Sequence, residues 1–211
     1  WTAATAGASH TVAVRSDGTL WAWGLNSSGQ LGDSTTVNKS SPTQIGSGTW
    51  SEVSGGTSHT AAVNSSGTLY VWGANNLGQI GDNTTVNQSS PVQIGSSSWT
   101  AVAAGGNHNA AIKSDATMWT WGQNNYGQLG NNYITTGSSS PAQVGSSSWT
   151  AVAAGLNHTV GINTAGTLFT WGNNSSGQLG VANSLIGLSW TMLSAGSAGF
   201  GIRNDGFLYA W

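Results

Sequence analysis

Cysteine is missing from this sequence and charge is nearly so. With no Cys among 211 residues, a disulfide framework and a thiolate metal site are both ruled out. Charged residues make up 5% of the chain, against about 25% in an average globular protein. The only basic residues are Arg15, Lys39, Lys113 and Arg203. Nucleic-acid binding draws on Lys and Arg to neutralise phosphates, so no nucleic-acid partner is expected. A basic membrane-surface patch is excluded on the same ground. No apolar run approaches the roughly 20 residues of a membrane span, and no membrane insertion is expected. The acids Asp17, Asp33, Glu52, Asp82, Asp115 and Asp205 form no pair outside the repeating pattern, and no Gly-x-Ser-x-Gly elbow is present. Neither enzymatic activity nor a cofactor is expected. The chain starts at Trp1 without a signal-like segment, which reads as a processed chain or one segment of a longer one.

What is present argues for order. Disordered chains are poor in aromatics and rich in net charge; this one has 12 Trp, 32 Gly and a formal net charge of −2. The stretch "WGLNSSGQLGD" at Trp23 returns as "WGANNLGQIGD" at Trp72, "WGQNNYGQLGN" at Trp121 and "WGNNSSGQLGV" at Trp171. The spacings are 49, 49 and 50 residues, a period that marks a repeat architecture. The units are 1–49, 50–98, 99–148 and 149–189, with a partial unit at 190–211, in a single repeat domain.

Each unit holds four short strands and no capped helical pattern. "TAVAAG" is the first and "HTVAV" the second. An Asp17-Gly18, Ser66-Gly67 or Asp205-Gly206 turn of type I′ is expected next, since that turn wants positive φ at both central residues. "TLWAWG" is the third strand, and "PTQIG", led by Pro42, fits an edge strand. Side chains alternate faces along a strand. Trp21 and Trp23 therefore share one face of the third strand while Leu20 and Ala22 share the other, and both faces are apolar. A strand buried on both faces belongs to a sheet packed between two others, as in a propeller blade.

The recurring motif reads as a structural joint. It comprises Trp23, Gly24, Gly29 and Gln30, then Trp72, Gly73, Gly78 and Gln79. The third and fourth copies are Trp121, Gly122, Gly127 and Gln128, and Trp171, Gly172, Gly177 and Gln178. The glycines supply positive φ, the Gln amide pairs turn backbone groups, and Leu31 plugs the space between blades. A phosphate-binding loop would need Lys where Gln30 stands. His10, His59, His108 and His158 recur three residues after a glycine. Four imidazoles around a channel could hold a metal, but one ring per blade lies far from the next. Structural histidines bonded to a turn are expected, and no metal.

The pattern "GTLWAWGLNSSGQLGD…SPTQIG…W…V…G…SHT" resembles the regulator of chromosome condensation repeat, and the resemblance covers the whole chain. It implies an all-β fold, a β-propeller of four-stranded antiparallel blades. About four and a quarter repeats of about 49 residues would form part of a ring that is commonly seven-bladed. The founder of that family is a nucleotide exchange factor for a nuclear GTPase and binds chromatin. This chain has neither its charged faces nor a protruding insertion. A plant ultraviolet photoreceptor of the family uses a Gly-Trp-Arg-His-Thr motif. Here those positions read "GASHT" and "GLNHT", so neither activity is implied.

Function is expected to be non-enzymatic. An uncharged hydroxyl and amide surface resists salt, which suits a structural or adhesive module of an extracellular assembly, such as a phage virion appendage or a bacterial surface protein. The alternative is an intracellular protein–protein interaction scaffold of the chromosome condensation regulator type. Partners would be other protein subunits, copies of the chain itself, or a glycan. The contact surface is expected on the loops between third and fourth strands, at 33–41, 82–90 and 131–140. Thr35, Asn38, Thr84, Asn87 and Tyr133 are the candidate contact residues. A shortened segment after Gly180 and the changed residues Ala198 and Phe200 read as a terminal capping repeat.

Overall fold

The computed structural model describes residues 1–131, 137–180, 190–196, 199–203 and 208–210. Among these there are strands and turns and no helix. Blade 1 holds β1 (Ala3–Ala6), β2 (His10–Val14), β3 (Leu20–Gly24) and β4 (Lys39–Gln44). Blade 2 holds β5 (Trp50–Gly55), β6 (His59–Asn64), β7 (Leu69–Gly73) and β8 (Gln88–Gln93). Blade 3 holds β9 (Trp99–Ala104), β10 (His108–Lys113), β11 (Met118–Gly122) and β12 (Ser138–Gln143). Blade 4 holds β13 (Trp149–Ala154), β14 (His158–Asn163) and β15 (Leu168–Gly172), and blade 5 holds β16 (Trp190–Ala195), β17 (Gly199–Arg203) and β18 (Leu208–Ala210). Each blade is an antiparallel sheet in sequence order. The expected β-propeller is what the chain forms, with four strands in each of blades 1 to 3 and three described strands in each of blades 4 and 5.

Adjacent sheets pack face to face, and the two faces differ. Val12, Val14, Leu20, Leu31 and Ile45 of blade 1 meet Trp50, Tyr70 and Trp72 of blade 2. Leu69, Val71, Ile80 and Ile94 of blade 2 meet Trp99 and Trp121 of blade 3. Met118 and Val144 of blade 3 meet Trp149 and Trp171 of blade 4. An aliphatic face thus always receives an aromatic one. The paired tryptophans at these three interfaces lie edge to face, as Trp99 and Trp121 do at 6.2 Å and 60°, the arrangement the ring quadrupole favours. The ends of the five first strands converge on a cavity of about 450 Å³ lined almost wholly by Gly and Ala.

Two local expectations change. The hairpin after β2 is not type I′. Gly18 has φ 82°, but Asp17 is not among the positive-φ residues. Gly18 N–H donates to the Arg15 carbonyl and Arg15 N–H to the Thr19 carbonyl. This is a three-residue loop with a left-handed third residue. Asp17 instead accepts from the Thr19 N–H at 3.0 Å and from its hydroxyl at 2.6 Å. The Asp205-Gly206 turn lies outside the described residues. Pro42 does not lead its strand either. β4 starts at Lys39, and Ser40, Ser41 and Pro42 together oppose Trp23 between the Ala22–Thr43 and Gly24–Lys39 pairs. A residue without an N–H is tolerated at such a bulge on an edge strand.

Blade 3 carries Ala116 at the left-handed turn position, with φ 65°. A left-handed residue with a Cβ costs roughly 1–2 kcal/mol, part of which glycine returns through unfolded-state entropy. Ala116→Gly is expected to stabilise the chain by about 0.5–1 kcal/mol, read as a higher urea midpoint at unchanged slope.

Candidate functional site: the blade joints and the rim

The joint motif closes each hinge with a side chain and bridges to the next blade with a main chain. Gln30 Oε1 accepts from the Ser28 N–H at 2.9 Å. Gln79, Gln128 and Gln178 do the same for Leu77, Tyr126 and Ser176. Gly24, Gly29, Gly73, Gly78, Gly122, Gly127, Gly172 and Gly177 all have positive φ. Close approach adds a second demand at Gly29, where a Cβ would lie 2.5 Å from the Ser89 backbone of the next blade. The main-chain carbonyl of Gln30 then takes two donors from blade 2. These are Trp72 Nε1 at 3.0 Å and the Thr60 hydroxyl at 2.8 Å. Gln79 takes Trp121 Nε1 at 3.0 Å and Asn109 Nδ2 at 2.6 Å. Gln128 takes Trp171 Nε1 at 2.9 Å and the Thr159 hydroxyl at 2.8 Å.

The histidines complete these joints, and their partners are not turns. His10 Nε2 lies 2.9 Å from Thr60 Oγ1, His59 Nε2 lies 3.1 Å from Asn109 Oδ1, and His108 Nε2 lies 2.9 Å from Thr159 Oγ1. Every partner sits on the second strand of the following blade. The tautomer follows from proton counting. A hydroxyl has one proton, and Thr60 and Thr159 give theirs to a Gln carbonyl, so the imidazole must donate from Nε2. Asn109 Oδ1 can only accept, which requires the same tautomer of His59. Nδ1 of His10, His59 and His108 is left without a partner. A Cβ on Gly56 would fall 2.2 Å from the His59 ring, so that glycine makes room for the imidazole.

Burial pushes the pKa of His10 and His59 down to about 4. It pushes His108 down to about 3, with the neighbouring His59 and His158 rings adding to the effect. His158 is lowered by burial as well. These rings are neutral at pH 7. They do not converge: among the described residues no three His, Asp or Glu are grouped to hold a metal.

The rim loops are organised from inside by an asparagine of the joint motif. Asn26 Nδ2 faces Asp33 Oδ1 at 3.0 Å, the Thr35 carbonyl at 3.0 Å, Thr35 Oγ1 at 3.3 Å and the Val37 carbonyl at 3.2 Å. Its Oδ1 accepts from Leu31 N–H, and its own N–H donates to Asn38 Oδ1. Asn75 repeats this with Asp82, Thr84, Val86, Ile80 and Asn87. Burial works against ionisation of Asp33, yet hydrogen bonds from Thr35, Lys39 and Asn26 hold its carboxyl below the usual range. Lys39 Nζ lies 3.2 Å from it. The loops also grip the next blade, through Ser34 N–H to the Ser89 carbonyl and Asn83 N–H to the Ser139 carbonyl.

Thr35, Asn38, Thr84 and Asn87 were expected to point their polar groups at a partner. The Thr35 and Thr84 hydroxyls and Oδ1 of Asn38 and Asn87 bond within the loop, while the side chains of Asn38, Thr84 and Asn87 stay exposed. The loops are also shorter than expected, since β4, β8 and β12 begin at Lys39, Gln88 and Ser138. Tyr133, the segment after Gly180 and Ala198 lie outside the described residues, as does the side chain of Phe200. What the rim does present is Val37 and Val86, 63% and 64% exposed at equivalent positions. Exposed Leu77 adds to this surface, and it shares with Thr85 a cavity of about 240 Å³ against β12. The signal was in the sequence: one Val stands inside each of the polar runs "DSTTVNKSS" and "DNTTVNQSS".

Comparison with known proteins places this geometry. The family model described as RCC1-like domain matches residues 1–211. No curated protein matches the chain in sequence. Among solved structures, human WBSCR16 superposes with a TM-score of 0.84 at 21% identity, over 99% of this chain and 60% of that one. Prp20p from Saccharomyces cerevisiae, in a structure described with its binding properties to Gsp1p and histones, gives 0.84 at 22% identity, over 99% and 56%. The ectodomain of the Physcomitrella patens receptor kinase CR4 gives 0.67 at 17% identity, over 99% and 53%. The chain therefore spans a little over half the length of these structures.

Proposed function

The chain belongs to the RCC1-like domain family, and on that premise we propose that it is a non-catalytic scaffold that binds a protein partner along its rim. The observation that carries this is the pair Val37 and Val86. Each is held outward by a loop whose polar groups are tied to a buried asparagine. Exposed apolar side chains on preorganised loops cost little to order on binding. Single exposed valines would need no explanation, but two at the same blade position, on loops bonded to the next blade, form a recurring surface. Protein binding is also described for Prp20p, with Gsp1p and histones, and for its complex with Kap60. The adhesive, surface-borne reading drawn from composition gives way to its alternative. With four Lys and Arg in 211 residues, a phosphate-rich partner remains disfavoured.

The test is a double substitution, Val37→Asp with Val86→Asp, compared with the unaltered chain in affinity capture from its native source followed by binding measured with each recovered protein. Loss of binding by tenfold or more, at unchanged circular dichroism and melting temperature, is the expected result. Binding that survives the substitution overturns the rim. Binding that is lost on deglycosylating the partner overturns the protein class in favour of a glycan.

A further inference from the structure

Each of the first three joints is fastened by a ring with one proton to give, already committed. The Nε2 proton of His10 goes to Thr60, that of His59 to Asn109 and that of His108 to Thr159. The other ring nitrogen is buried with no acceptor. It lies against glycine main chain too close to admit even a methyl group. A second proton would therefore arrive in a place with neither hydrogen-bond partner nor counter-ion, and with no room for water. We propose that these three joints form an acid-release device, in which protonation of the imidazole parts the two blades it bridges.

The surroundings favour release over accommodation. The titratable groups that bear on two of the rings are other rings: His10 on His59, and His59 with His158 on His108, while burial alone acts on His10. They oppose one another's charge. Carboxylates and cations on the packed elements are engaged elsewhere. Glu52 of β5 accepts from the Val102 N–H, and Lys113 at the end of β10 has its Nζ 3.7 Å from the Trp119 ring centroid. In the hinges, Asp33 is paired with Lys39, and Asp82 accepts from Asn75 and Thr84. Opening a joint exposes its ring to water, where the unperturbed affinity for a proton returns.

The sign follows from the depressed values. A ring lowered from 6.5 to about 4 binds fewer protons folded than unfolded. It stabilises the closed joint above pH 6.5 and loses that contribution as pH falls towards 4. With three such rings the transition takes up more than one proton and is steep.

The fourth joint is built differently. Gly199 pairs with Ala195 as Thr159 pairs with Ala154, so the place of the accepting hydroxyl is held by a glycine. His158 Nε2 has no partner. The device is thus confined to blades 1 to 4.

The experiment follows tryptophan fluorescence and small-angle scattering of the full chain from pH 8 to pH 4. A steep opening between pH 6 and 4 is expected. The triple variant His10→Gln, His59→Gln, His108→Gln keeps a side-chain N–H donor but cannot take a second proton. Its midpoint should fall by at least one pH unit, while His158→Gln alone should leave the midpoint in place. Identical midpoints for the unaltered chain and the triple variant overturn the proposal, as does a shift from His158→Gln of the size expected for all three. Should the triple variant not fold, NMR of the histidine Cε1 protons of the unaltered chain decides. Three rings silent until the fold opens support the device, and rings that titrate near 6.5 in an intact fold overturn it.

Discussion

Trp121→Ala should cost about 3–5 kcal/mol, the range for a large aromatic removed from a packed core. The side chain is fully buried. Its ring fills the space between blades 2 and 3 against Leu69, Val71, Ile80 and Ile94. Its indole N–H also gives the Gln79 carbonyl one of its two donors. The ring lies over Gly81 so closely that a Cβ there would fall 2.7 Å from Nε1, which leaves the neighbouring backbone little freedom to move into the void. For a domain whose whole stability is about 5–15 kcal/mol, such a loss approaches unfolding. Trp23→Ala supplies the control. Trp23 is only half-buried, and the tryptophan beside it, Trp1, is 64% exposed. The same truncation there should cost clearly less. Urea unfolding followed by circular dichroism reads both, and equal losses at the two positions would contradict the packing.

Thr60→Val should be the most damaging change of similar size and shape. The two side chains differ by a hydroxyl in place of a methyl. Valine removes the acceptor for His10 Nε2 and one donor to the Gln30 carbonyl. Buried polar groups left unpaired cost about 1–3 kcal/mol each, so a loss of about 2–4 kcal/mol is expected. Asn109→Thr, at the equivalent position of the next joint, changes side-chain type and size yet keeps one acceptor for His59 and one donor for Gln79. It should cost under about 1 kcal/mol. If the apparently gentler Thr60→Val proved neutral, the hydroxyl would not be what fastens the joint.

Much of this fold could be read from spacing and alternation. The 49-residue period gave the blades, and the shared apolar character of Leu20 and Trp21 gave a strand buried on both sides. The glycine positions of the hinge followed from the motif itself. Three features could not be read so. The partners of the histidines lie about 50 residues away, and the equivalent positions hold Thr60, Asn109 and Thr159. Two residue types serve one chemical role there, so the pattern shows variation where the structure shows constancy. The order inside the rim loops was not legible: Thr35 looks solvent-facing in a run of polar residues, yet the buried side-chain amide of Asn26 ties it inward, and exposed Asn38 accepts from the Asn26 backbone N–H. The turn at Asp17-Gly18 was misread because a dipeptide does not fix loop length. The extra residue between β2 and β3 selects a different turn, in which Asp17 acts through its side chain.

The one-way polarity of the joints has a consequence for descent. Units 1 to 3 carry on their trailing face an imidazole and a Gln carbonyl, and units 2 to 4 carry on their leading face the Trp and the Thr or Asn that answer them. A copying error that inserts or removes one whole unit therefore joins a trailing face to a leading face that already fits. Excising residues 50–98, for example, would bring His10 and Gln30 against Asn109 and Trp121, a chemically complete pairing. Gain or loss of a fraction of a unit has no such protection. Selection on this lineage can thus change the number of units without first inventing a new contact, and the near-identity of its repeats is what such a history would leave.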